Sequence, residues 1–221
     1  DGTLDVDGTL TRDVTRLGLV LDGVVKGLRR GDIHAVAPVL VRSRLNWRGQ
    51  TVRILDLDAT TPGARVAVRG TYGLDTRKLD LQTRATVEEL ARFVGGLPKG
   101  ARLANSEARV LITGTTQKPR YQGAANLSDV EGFGVPAQAV VLTFKGDEKR
   151  VDVTQMKGRV AGGPLLGQGS LGLDKKKALS GRLQIRGANA SQLHLEGLAL
   201  EGKVDANITL GGTSDVAVIG I

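Results

Sequence analysis

Aliphatic and polar residues alternate with a period of two along this chain, in phrase after phrase closed by glycine or a turn residue. The clearest phrase is Gly181-Arg182-Leu183-Gln184-Ile185-Arg186-Gly187. It returns as Gly2-Thr3-Leu4-Asp5-Val6-Asp7-Gly8, as Ala64-Arg65-Val66-Ala67-Val68-Arg69-Gly70 and as Gly197-Leu198-Ala199-Leu200-Glu201-Gly202, with a looser copy at Gly169-Ser170-Leu171-Gly172-Leu173-Asp174. Successive strand side chains point to opposite faces, so this alternation builds one apolar and one wetted face, and glycine frees the backbone for the reversal. The pattern predicts an all-β fold made of many short, one-sided strands.

Taken in order, strands are predicted at residues 2–10 and 14–24, with turns at Asp22-Gly23 and across 27–32. A longer strand over 33–47 is broken at Pro38, which cannot donate to a ladder and so marks an edge or a bulge. Over 50–58 the phase changes, with Val52 and Ile54 on one face and Leu55 and Leu57 on the other, which a β-bulge explains most simply. Pro62-Gly63 turns the chain into 65–72, and 78–83 follows. Thr86 and Glu89 have capping-box spacing ahead of Val87, Leu90, Phe93 and Val94, predicting one short helix at 86–94, ended by Gly95-Gly96 and Pro98. Strands resume over 102–113, 120–127, 138–145, 150–160 and 165–174, with hairpins at Gly146-Asp147 and 174–177. The last third adds 179–186, 192–196, 197–201, 203–210 and 215–219, and a brief helical turn over 188–193. No linker divides the chain, so it reads as one module over 1–221 with a helical insertion at 86–95. Both ends fall inside strand phrases, which predicts a piece of a longer repetitive protein.

Composition sharpens this picture. The 221 residues are 40% hydrophobic but only 3% aromatic, with 31 Gly, so the apolar face is built almost wholly from Leu, Val, Ile and Ala. That is unusual for a compact sandwich, where rings fill the space between sheets. The absence of Cys excludes disulfides and thiolate metal sites. The sequence contains no apolar run of membrane-spanning length. A formal charge of +8 invites a nucleic-acid reading, but Arg65, Arg69, Arg182 and Arg186 sit at outward strand positions among acidic residues, with no aromatic stacking platform beside them. Nucleic acid is not expected as a partner.

Catalytic chemistry is poorly supplied. His34 and His194 are out of phase with the leucines of their strands and read as surface histidines. Asp5 with Asp7, and Asp56 with Asp58, have the i, i+2 spacing that puts two carboxylates on one strand face, yet no further ligands stand nearby. The run from Gly162 to Gly169 lacks the Gly-Lys-Ser/Thr ending of a phosphate loop and reads as a turn between strands. Trp47 reads as packing. No catalytic, metal or cofactor site is assigned, and an enzyme is not expected. What remains is the apolar face: leaving it wet forgoes roughly 1.5 to 3 kcal/mol for each large aliphatic side chain. The sheet must fold over on itself or hold something greasy.

The glycine-punctuated strands at 2–8 and 181–187, the segment Val66-Ala67-Val68-Arg69-Gly70 and the run Met156-Lys157-Gly158-Arg159-Val160-Ala161-Gly162-Gly163-Pro164-Leu165-Leu166-Gly167-Gln168-Gly169 resemble the TamB and AsmA-like envelope proteins of Gram-negative bacteria. The resemblance covers most of the chain as a pattern rather than as an invariant motif. It implies an elongated, twisted antiparallel sheet curled into a taco-like hydrophobic groove. Such a groove is similar in plan to bridge-like lipid transfer proteins, with phospholipid or other acyl chains sliding inside and head groups in water. It further implies a periplasmic location, an inner-membrane anchor in a part of the chain not present here, and an outer-membrane assembly partner of the Omp85 type. The groove lining would then be Leu4, Val6, Leu17, Leu19, Val66, Val68, Leu79 and Leu81 in the first half. In the second half it would be Val151, Val153, Leu171, Leu173, Leu183, Ile185, Leu198, Leu200, Val204, Ile208, Val216 and Val218. Small aliphatics would line such a groove without plugging it. The helix at 86–94 is a departure that a plain groove does not need.

Two other readings share the strands. A self-sealed β-solenoid requires a constant rung length, and the phrases here recur at spacings too uneven for one. A chaperone-like groove would capture a client strand by backbone pairing at an open edge.

Overall fold

The computed structural model describes residues 3–13, 16–30, 33–95, 102–132, 135–173, 178–192, 201–213 and 216–220. The strands are β1 (Thr3–Asp13), β2 (Arg16–Lys26), β3 (Arg29–Arg30), β4 (Ile33–Ala35), β5 (Val39–Arg48), β6 (Thr51–Thr61), β7 (Ala64–Gly73), β8 (Lys78–Glu89) and β9 (Val94–Gly95). They continue as β10 (Arg102–Thr115), β11 (Pro119–Gly132), β12 (Val135–Asp147), β13 (Arg150–Val160), β14 (Gly163–Gly172), β15 (Ala178–Asn189), β16 (Lys203–Thr213) and β17 (Val216–Gly220). Fourteen of them form one open antiparallel sheet in the order β1-β2-β5-β6-β7-β8-β10-β11-β12-β13-β14-β15-β16-β17, and β3-β4-β9 form a second, small sheet. Near-sequential order is what short connections between antiparallel strands produce. Although no linker is visible in the sequence, contacts gather into two compact units, Asp1–Pro98 with Glu107–Pro119, and Lys99–Ser106 with Arg120–Ile221.

Several local expectations meet their physical causes here. Pro38 falls in the gap between β4 and β5. The phase change in β6 is a bulge: Arg44 pairs with Asp56 while Leu45 pairs with Ile54, leaving Leu55 extra. Because the bulge absorbs one residue, Leu57 returns to the face of Val52 and Ile54 rather than opposing it. The turn expected near Gly162 is the pair Ala161 and Gly162, with φ of 48° and 79°, the positive values a two-residue hairpin requires. From Gly163 onward that run is strand. Asp22-Gly23 is not a turn but lies inside β2, where Asp22 is opposite Arg42 and finds an ion partner there.

The helix expected over 86–94 does not form. Thr86 and Val87 continue the ladder of β8 on β7, opposite Arg65 and Ala64, and the Glu88 N–H donates to the Gly63 carbonyl at 2.8 Å. Glu89 is extended, at φ −156° and ψ 116°, and makes no side-chain cap. Its carboxylate instead accepts from Arg92 Nε at 2.9 Å. Strand pairing therefore outcompetes the capping box, and only a 3-10 turn at Leu90–Arg92 follows before β9. A second 3-10 turn, Ala190–Gln192, matches the short helical turn expected near there.

The core is thin. Among the described residues no large side chain is fully buried, and the buried apolar set is dominated by Ala and Val.

Candidate functional site: the apolar sheet face

In the first unit the register stacks mostly apolar side chains into cross-strand rows on a single face. One row runs Leu19, Leu45, Ile54; the next runs Leu21, Ser43, Leu57, Val68, Thr83. A third runs Leu17, Trp47, Val52, Tyr72, Leu79. Between these rows lies a furrow of about 460 Å³, lined by Leu21, Gly23, Val41, Ser43, Leu45, Val52, Ile54, Leu57, Tyr72, Leu79, Leu81 and Thr116. Its wall is apolar but for Ser43, Tyr72 and Thr116. Such a wall takes up hydrocarbon and gives an ionised group nothing to pair with.

The opposite face of the same strands is a charge ladder. Arg42 Nε donates to Asp22 Oδ1 at 2.7 Å, Arg65 Nε to Asp58 Oδ1 at 2.9 Å, and Arg44 Nε to Asp56 Oδ2 at 2.7 Å. Arg84 Nη2 and Arg109 Nε both donate to Glu107, at 2.8 Å and 2.7 Å. The Arg44 hydrogen bond holds the Asp56 carboxyl below its usual range, helped by the nearby charges of Arg44 and Arg69 and opposed by burial. The hydrogen bonds from Arg84 and Arg109 do the same for Glu107. These cations occupy the carboxylate pair Asp56 and Asp58 considered above for a metal. No group of three or more His, Cys, Asp or Glu among the described residues is placed to hold a metal ion. The side chain of Asp5 lies outside the described residues, as does His194, while His34 is exposed and pairs through its backbone with Gly95.

The second unit treats its apolar face differently. Val140, Val160, Ala161, Leu165 and Ala188 form a buried cluster, with Leu127, Ala137, Met156, Leu183 and Ile185 packed against it. Glycines make this closure possible: a Cβ on Gly158 would stand 2.8 Å from Val140 Cγ2, and one on Gly167 would stand 2.6 Å from Leu183 Cδ2. Here neighbouring side chains lie across the bare backbone of glycine.

The expected lining residues therefore divide. Leu79 and Leu81 line the furrow. Leu17, Leu19 and Val68 are half-buried on its face, and Val66 is 37% exposed there. Leu4 and Val6 stand in register opposite Val25 and Gly23, though their side chains lie outside the described residues. In the second unit Val151 and Val153 are half-buried opposite Gly146 and Phe144, while Leu171 and Leu173 are exposed. Leu183 and Ile185 belong to the packed cluster, and Val204 and Ile208 stand opposite Ala188 and Leu183. Val216 and Val218 are the exceptions in phase: they pair with Thr213 and Gly211, and Ala217 and Ile219 take the register positions opposite Gly212 and Leu210. The side chains of that strand, and all of Leu198 and Leu200, lie outside the described residues.

Most of the furrow wall was missed in the sequence. Leu21 alternates correctly with Leu17 and Leu19, but the supposed turn at Asp22-Gly23 hid its neighbours. Val52, Ile54 and Leu57 were obscured by the bulge, and Leu45 by a strand whose register only pairing reveals. No protein-family model, no curated protein and no solved structure matches this chain.

Proposed function

We propose that this chain is a segment of a periplasm-spanning hydrophobic groove that carries phospholipid acyl chains between inner and outer membranes, as in the TamB and AsmA-like envelope proteins it resembles. The observation that carries the reading is the apolar furrow of the first unit, where Leu21, Leu45, Ile54, Leu57, Leu79 and Leu81 line one concavity and each remains partly exposed. An occupant of hydrocarbon character would recover the burial these side chains lack. The cross-strand ion pairs on the other face keep that face wetted and distinguish the two sides of the sheet. On this reading the inner membrane is reached through a segment outside these residues, and the partner at the other end is an outer-membrane assembly protein of the Omp85 type.

The test is lipid capture by the purified chain. Phospholipid is expected to co-purify and be detected by native mass spectrometry, and Leu45→Asp or Leu81→Asp is expected to reduce the bound fraction at least tenfold. Arg53→Asp, at an exposed position of the opposite face, is expected to leave it unchanged. Lipid-free protein that takes up no phospholipid when incubated with it contradicts the reading.

A further inference from the structure

Three buried hydroxyls have no hydrogen-bond partner among the described residues: Ser43 Oγ, Thr61 Oγ1 and Thr83 Oγ1. Register places all three on the apolar face of the first unit, with Ser43 opposite Leu21 and Leu57, Thr61 opposite Ala64, and Thr83 opposite Val68. Ser43 alone of the three lines the furrow, and it is 4% exposed. A hydroxyl orphaned among hydrocarbon is costly, and native chains resolve it with a protein partner or an ordered water. Among the described residues a protein partner is not on offer at Ser43. Its neighbours Leu21, Val41, Leu45 and Leu57 have no polar side-chain atoms, and the backbone around it is engaged in the ladders with β2 and β6. Besides Ser43 the furrow wall carries only two polar side chains, Tyr72 and Thr116, and Ser43 Oγ bonds to neither.

We infer that the furrow seats an acyl chain whose carbonyl oxygen, in an ester or a protonated carboxylic acid, accepts a hydrogen bond from Ser43 Oγ. This rests on the acyl-chain reading above and narrows it. The serine side chain has a single torsion with three staggered positions, so turning Oγ toward the furrow costs one rotamer change. A carbonyl is the acceptor that suits the place: it is neutral, and the wall offers no counter-charge for a phosphate, an ammonium or an ionised carboxylate. The furrow then does more than shelter hydrocarbon. It fixes how deep the polar end of the chain sits, and it discriminates a carbonyl-bearing chain from a bare one.

The experiment measures binding of methyl dodecanoate, dodecanoic acid and dodecane to the 221-residue chain by displacement of an environment-sensitive fluorophore. Wild type is expected to bind the ester more tightly than the alkane. Ser43→Ala is expected to weaken ester binding about fivefold to tenfold, the factor a single neutral hydrogen bond supplies, while dodecane binding is unchanged. Without ligand, the same variant is expected to melt at a higher temperature, since it removes an orphaned hydroxyl. Ser43→Cys, similar in size and a weak donor, is expected to fall between the two and stands in if the alanine variant does not fold. Tighter binding of the ester than of the acid at about pH 4, where the acid is largely protonated, identifies esterified chains as the occupant, and the reverse identifies free acid. Unchanged ester binding in Ser43→Ala, or an equal loss for dodecane, overturns the inference while the acyl-chain reading stands. Failure of wild type to bind either ester or alkane overturns both.

Discussion

Asp56 shows how single residues keep the two faces of the sheet distinct. Its side chain is 14% exposed and paired to Arg44 across the strands, and the same register row places Asp58 opposite Arg42. Exposed pairs of this kind contribute little each, yet Asp56, Glu107 and Asp147 all have carboxyl groups held below their ordinary range, the last by the backbone N–H groups of Lys149 and Arg150. A carboxyl whose pKa is lowered in the folded chain adds stability above its unfolded value, about pH 4, and that contribution drains away as pH falls through the lower folded value. The urea unfolding midpoint is therefore expected to fall between about pH 5 and pH 2. Asp56→Asn should have a lower midpoint than wild type at neutral pH, and the two should converge at the acid end. A constant gap across the range contradicts this account of Asp56.

At the scale of elements, the bulge in β6 decides which side chains reach the furrow. Leu55 is the residue without a counterpart: Leu45 pairs with Ile54 and Arg44 with Asp56 on one side, and Ile54 pairs with Gly70 and Leu57 with Val68 on the other. Removing it leaves strict alternation of Val52, Ile54 and Leu57 with Arg53 and Asp56. Deletion of Leu55 is therefore expected to preserve a cooperative unfolding transition, within about 1 kcal/mol of wild type. Deletion of Ala67, from a stretch of β7 whose register runs unbroken between Val66 and Val68, turns half that strand over and should cost several times more. Urea denaturation of both variants checks the contrast. The strands themselves were legible because alternation is local. The missing helix was not, since residues 86–94 satisfy helical spacing and capping while the partners that outcompete them, the Gly63 carbonyl and the Ala64-Arg65 start of β7, are distant in sequence.

Across the whole molecule the same alternating pattern has two outcomes. In the first unit the apolar face carries the furrow; in the second, glycines at 158 and 167 let Val140 and Leu183 lie close to the backbone and a cluster closes around Leu165, while Leu171 and Leu173 stay exposed. Alternation alone makes both halves one lining, because it tells which residues share a face and not whether another side chain covers them. Stability data separate the two cases. Leu165→Ala, at a position 6% exposed, is expected to cost about 2 to 4 kcal/mol. Leu45→Ala, on the half-exposed furrow wall, should cost about 1 kcal/mol and should weaken binding of hydrocarbon.

The central claim is that the furrow face of the first unit meets acyl chains, and photocrosslinking tests it most directly. A phospholipid carrying a diazirine near the end of one acyl chain is incubated with the protein and irradiated, and the labelled peptides are mapped. Labels are expected on Leu45, Ile54, Leu57 and Leu81, which share the furrow. Labels confined to the charged face, at Arg42, Arg44 or Arg65, or spread without preference between the two faces, contradict the account.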